Sequence, residues 1–155
     1  YRDGRPTDFD YQKSLDWFKR AFDAGDLQAS LLIGRLYARH LHNANEAVRW
    51  LRLSAEMGFE DSYVDLAMLH GDRRSAAYDP AESAHWYRKV ANKPGGSAPR
   101  ALIALARAAR DGQGTKQDRE LARSYLEIAI QITSERSEWR REAERLLDEI
   151  DGSFL

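Results

Sequence analysis

Two histidines one residue apart, His40-Leu41-His42, are the side chains best suited to chemistry, because paired imidazoles on a loop can share a divalent cation. No third ligand follows at a familiar spacing. Only Asp72, on a later loop, is placed to approach them, and surface loops carry histidine readily, so no metal site is assigned. Gly112-Gln113-Gly114 has the look of a nucleotide fingerprint, yet it follows a helical segment and lacks the third glycine, so it reads as an inter-helix loop. His85 precedes Trp86 on a helical segment and reads as half exposed. No serine sits in a nucleophile elbow, and no histidine–acid pair is arranged for proton transfer. The sequence contains no cysteine, which removes thiolate ligands, a cysteine nucleophile and disulfides, and leaves the compartment open. The expectation is a non-enzymatic chain with no catalytic residues, no metal and no cofactor.

The surroundings of these residues are repetitive. Paired anchors Trp17-Phe18, Trp50-Leu51, Trp86-Tyr87 and Tyr125-Leu126 recur at separations of 33, 36 and 39 residues. Couples ending in a small residue precede them (Lys13-Ser14, Glu46-Ala47, Glu82-Ser83, Leu121-Ala122). Ala21-Phe22, Ser54-Ala55, Val90-Ala91 and Ala129-Ile130 follow them. Self-similarity at this period marks stacked supersecondary units, none able to bury its apolar face alone. The most complete copy runs from Ala101 through Leu105-Ala106, Gly112, Gly114, Asp118 and Tyr125 to Ile130. Tyr1, Gly4 and Asp10 fall on the middle of the same unit, so the chain reads as opening inside a repeat of a longer protein. The turn Lys93-Pro94-Gly95-Gly96-Ser97 adds residues and lengthens the later period.

Composition suits a helical domain of 155 residues, 43% hydrophobic, enough for one continuous core. Twenty-four basic and 25 acidic residues leave a formal charge of -1, which argues against a nucleic-acid binder or a polybasic membrane anchor. No apolar run spans a bilayer; 125–132 is too short and is broken by Glu127 and Gln131.

Each unit reads as two helices. In 27–39 the positions Ala29, Leu32, Ile33, Leu36 and Tyr37 recur at helical spacing, and the partner helix 46–57 buries Ala47, Trp50, Leu51, Ser54 and Ala55. Further pairs are predicted at 62–69 with 80–91, where Pro80 suits a first turn, and at 101–110 with 119–132. A final helix, about 137–150, aligns Trp139, Ala143, Leu146, Leu147 and Ile150 on one stripe and carries Glu138, Arg141 and Glu144 on the other, as a cap on a stack requires. Gly34, Ala67 and Ala106 share one position, where a bulky side chain would push the paired helix away. The anchor aromatics then fill the core between units.

These residues resemble the Sel1-like repeat family, a relative of tetratricopeptide repeats. The pattern is carried by Ala29, Ile33, Gly34, Tyr37, Asn43, Glu46, Ala47, Trp50, Leu51, Ser54, Ala55 and Gly58, and by their counterparts in later copies. His70 and Ala109 depart from it by replacing the tyrosine, and the Gly-x-Gly loop is clear only at Gly112 and Gly114. The resemblance implies an all-α, right-handed α-solenoid of stacked antiparallel helix pairs, about eight helices. It would form one domain with a partial repeat at 1–26, repeats at about 27–60, 61–97 and 98–136, and a capping helix at 137–151. It further implies a protein-interaction scaffold, often bacterial and often in the cell envelope. Some secreted relatives are linked to β-lactams or cell-wall material, but their repeats are disulfide-bonded, and the absence of cysteine departs from that branch.

The resemblance also suggests which residues of the first helices face inward on a concave surface. They are Gln28, Leu31, Arg35, Ala38 and Arg39; then Asp61, Val64, Met68, Gly71 and Asp72; then Arg100, Ile103, Arg107, Arg110 and Asp111. Leu31, Val64, Met68 and Ile103 would make an apolar floor, with arginines at both ends of an acidic middle. Arginine there suits carboxylates and Met suits irregular apolar partners, so the expected partner is a protein or peptide segment with acidic and apolar residues. The alternative is that these charges pair with one another on a solvated surface, the chain being a spacer in a longer solenoid. No nucleic acid or membrane insertion is expected. Tyr1 and Phe9 would mark an exposed end able to self-associate.

Overall fold

The computed structural model describes residues 8–93 and 95–152, with side chains from Asp10 onward. Tyr1, Gly4, the Phe9 side chain and Pro94 lie outside the described residues, and with them the expected self-associating end. Among the described residues there are eight helices and no strand: α1 (Asp8–Asp23), α2 (Ala29–Arg39), α3 (Ala44–Glu56), α4 (Asp61–Gly71), α5 (Pro80–Ala91), α6 (Ala98–Asp111), α7 (Arg119–Gln131) and α8 (Glu138–Asp151). The chain divides into two compact units, Tyr1–Tyr78 with α1 to α4 and Asp79–Leu155 with α5 to α8.

Second helices of the repeats are started by side chains that satisfy orphan N–H groups. Asn43 accepts from the Glu46 N–H at 3.1 Å, Asp118 from Leu121 at 2.9 Å, and Asp79 from both Ala81 and Glu82 at 3.0 and 3.1 Å. Each such cap is worth about 1 kcal/mol. The first helices α2, α4 and α6 have no side-chain cap. Their alignment rests on packing instead.

In the first unit, Leu15, Ile33 and Leu36 are buried together, with Tyr11, Phe18, Phe22, Tyr37 and Trp50 packed around them. Phe22 meets the Trp50 ring edge-on at 5.3 Å between centroids. Gly34 permits the close approach of α2 to α3: a Cβ there would lie 2.7 Å from the Leu51 side chain and 3.2 Å from its backbone nitrogen. Ser62 donates to Ser54 at 2.6 Å, a hydroxyl pair wholly out of water. His70, in the place of the motif tyrosine, is buried; its Nδ1–H donates to the Ala77 carbonyl at 2.7 Å and pins the loop after α4.

In the second unit, Leu102, Ile103, Ala106, Ala109, Ala122, Leu126, Ala129, Ala143 and Leu146 form the core, and Trp139, Leu147 and Ile150 of α8 close over it. Gly114, at φ +70°, has no room for a side chain, since a Cβ would fall 2.0 Å from the Pro80 carbonyl oxygen. The Gly-x-Gly loop is therefore a close backbone crossing. At the position of Gly34, Ala67 and Ala106, helix α8 carries Glu144, which is exposed.

Two expectations are corrected. Trp17, expected in the core as an anchor, is 68% exposed; its neighbour Phe18 does the packing, and Arg20 lies 5.6 Å over the Trp17 ring. Its counterpart Trp50 has α1 beside it, whereas the Trp17 face of α1 meets no other described helix. Leu32, expected on the buried stripe, is 39% exposed, and Leu31 is buried in its stead. Leu31, Leu32 and Ile33 are consecutive, so periodicity alone does not decide which of the first two turns inward.

Candidate functional site

The outward face of the first helices is built differently from the sequence expectation. Leu31 and Ile103, two of the four floor residues, are buried in the cores and are unavailable to a partner. Val64 is half-buried and Met68 is 41% exposed. Gln28, Arg39, Asp61, Asp72, Arg107 and Asp111 are exposed, while Arg35, Arg100 and Arg110 are half-buried. Leu32 takes the apolar place, one residue along from Leu31 and on the same side of α2 as Gln28, Arg35 and Arg39.

In the first unit this face is organised around Asp65, which the sequence reading missed. Its carboxylate accepts from Arg35 Nε at 2.5 Å and from Arg39 at 3.2 Å, while Arg35 also reaches Asp61 at 3.4 Å. One carboxylate of α4 thus clamps two guanidinium groups of α2. Charge-assisted pairs of this kind fix side-chain direction as well as adding energy.

The second unit repeats the rung. Arg107 of α6 pairs with Glu142 of α8, at positions equivalent to Arg35 and Asp65. Arg110 is held by Asp111 through two bonds of 2.7 and 3.0 Å and by Glu149 at 3.0 Å. Arg145 links Glu142 and Glu149 into one network. The Arg145 hydrogen bonds, with Arg107 nearby, hold the Glu142 carboxyl below its ordinary range; Arg110 does the same to Asp111. Aligning the first helices would have revealed Asp65 and Glu142, since an acid recurs at that position one first helix after each arginine.

The histidines are not gathered. His40 stacks on Tyr11, with centroids 4.1 Å apart and planes 16° off parallel, and His42 occupies φ +49°. Asp72 is engaged within its own loop by the Arg74 backbone N–H at 2.9 Å and by its guanidinium, which lower its pKa. Among the described residues no group of three His, Asp or Glu side chains is placed to hold a metal ion. His85 is exposed and meets Trp86 edge-on. No described helix is long and apolar enough to cross a membrane.

Comparison with known proteins agrees with this architecture. A Sel1 repeat protein from Oxalobacter formigenes is 29% identical, with a TM-score of 0.56 over 88% of this chain and 98% of that one. The c5321 protein, described as a protective antigen of uropathogenic Escherichia coli with an SLR fold, is 19% identical with a TM-score of 0.58; the match covers 92% of this chain and 33% of that one. Helicobacter pylori cysteine rich protein B, 16% identical, gives 0.57 over 93% and 99%. No curated protein sequence matches. The fold is the α-solenoid class of these Sel1-like proteins, although the sequence here has no cysteine. The Sel1 repeat model matches residues 1–26, 34–59, 61–94 and 99–131, most of the sequence, and the chain belongs to the Sel1 repeat family.

Proposed function

We propose that this chain is a non-enzymatic scaffold that binds a protein segment on the outward face of its first helices, in a bacterial envelope or regulatory assembly. Sel1 repeats generally serve as protein-interaction modules, and the relatives named above come from bacteria. The observation carrying the reading is the pair Leu32 and Met68, exposed apolar side chains on helices whose flanking arginines are held in place by Asp61 and Asp65. Apolar side chains among oriented charges match the composition of interface cores and rims. The segment recognised would present apolar side chains to Leu32 and Met68 and carboxylates to the edges of Arg35 and Arg39, with Gln28, Val64 and Asp72 at the margins. In the second unit Arg100, Arg107 and Arg110 would receive acidic residues.

The test is affinity capture from a bacterial envelope extract with the chain and its Leu32→Gln/Met68→Gln form, both checked by circular dichroism and melting temperature. A protein retained by the first and lost by the second, with unchanged folding, is the expected result. Equal retention would place binding elsewhere. The spacer reading draws on one observation too: Arg35, Arg107 and Arg110 all have carboxylate partners within the chain. It expects no retained protein in either eluate.

A further inference from the structure

Adjacent basic residues are what an arginine- or lysine-specific endopeptidase reads, and the sequence has such pairs at Lys19-Arg20, Arg73-Arg74, Arg88-Lys89 and Arg140-Arg141. Three of them lie inside α1, α5 and α8, where the helix withholds the backbone. Arg73-Arg74 stands between helices, in 72–79, the longest inter-helix stretch among the described residues. An endopeptidase takes its substrate as an extended strand, and exposed loops supply one with the least unfolding.

The local geometry favours this pair. Gly71, Asp72, Arg73 and Arg74 are all exposed, and among the described residues the Arg73 guanidinium has no carboxylate partner. It can therefore enter a specificity pocket that ends in an acid. Asp72 is what holds the segment. Its carboxylate accepts from the Arg74 backbone N–H at 2.9 Å and from the Arg74 guanidinium at 3.2 and 3.4 Å. These bonds are exposed, and water replaces exposed ion pairs at little cost. Basic residues in the other loops are poorer targets. Lys93 precedes Pro94, whose ring takes the place of the N–H at the bond to be cut. Lys116 lies in 112–118, where Gly114 is seated against the Pro80 carbonyl and Gln113 and Asp118 donate to Ala108 and Ala109 at 2.9 and 2.8 Å. Arg136 lies in a turn that Arg140 ties down through the Ile130 and Thr133 carbonyls at 3.2 and 3.3 Å.

We propose that Arg73-Arg74 is a processing site at which a trypsin-like endopeptidase, specific for basic side chains, divides the chain. The peptide bond after Arg73 or Arg74 is hydrolysed. The hydroxyl of water goes to the carbonyl carbon, leaving a carboxylate, and its hydrogen goes to the departing nitrogen, leaving an amine. The bond lies after α4 and just ahead of the division between Tyr78 and Asp79, so the cut passes through neither buried cluster. The site does not depend on the proposed partner face.

The experiment is limited digestion of the full chain with trypsin under native conditions, the products being followed over time by intact mass. The expected result is that the first cleavage within 8–152 falls after Arg73 or Arg74, and that the cut material keeps its helical circular dichroism. Arg73→Gln/Arg74→Gln should slow this division by about tenfold or more, because the rate follows the population of open, recognisable loop. Asp72→Ala, which keeps both arginines and releases Arg74, should speed it a few-fold. A first division at Lys93, Lys116 or Arg136 overturns the proposal. So does an unchanged rate in either variant, or loss of the helical signal on cutting.

Discussion

Deleting the Ser54 hydroxyl strands its buried partner on Ser62, because the donor that now points at Ser54 would find only a methyl group. Ser54→Ala is expected to cost about 1–2 kcal/mol, and Ser54→Ala/Ser62→Ala less than the sum of the two single changes, by about 1 kcal/mol. Urea unfolding of the four proteins in the cycle measures this, and strictly additive values would mean that the hydroxyls do not depend on each other. At this scale the sequence is least legible. The Leu31-Leu32-Ile33 run hides which leucine turns outward, and nothing local in Arg35 or Arg107 announces an acid about thirty residues away. Trp17 was misplaced for another reason: a repeat motif reports what a residue does when neighbours flank it on both sides.

Helices were more legible than side chains because their signals are local. Asn43 and Asp118 stand in the repeated motif and cap α3 and α7, and Pro80 begins α5 where expected. Helix α6 begins at Ala98, earlier than the periodic run from Ala101, because Pro99 is accepted in a first turn. The α6–α8 ion network changes its contribution with pH. Glu142 and Asp111 have lowered pKa values in the folded chain, so their contribution is complete above the unfolded values near 4 and disappears as pH falls through the folded ones. Urea midpoints should therefore hold steady from about pH 7 to 5 and fall below about 4. Glu142→Gln, which cannot lose that charge, should lose less stability between pH 7 and 3 than the unchanged chain. Parallel losses would show that the network adds nothing.

The division between Tyr78 and Asp79 gives each half four helices and its own buried side chains, Leu15, Ile33 and Leu36 in one and the Leu102–Leu146 cluster in the other. A repeat array is held by nearest-neighbour terms, so residues 79–155 alone should fold and melt cooperatively. A broad, non-sigmoidal melt, or a fragment without helical signal, would mean that the second core needs the first. The repeat architecture was plain from the spacing of anchors, but the place of this division was not, since the motif runs unbroken through it. Glu144 has a consequence for anyone wishing to lengthen the array. A grafted helix after α8 would meet the Glu144 carboxylate at the position where, between α2 and α3, Gly34 leaves room for Leu51. Extension by design therefore begins with Glu144→Ala, and grafts that omit this change should be rejected by the stack and remain frayed.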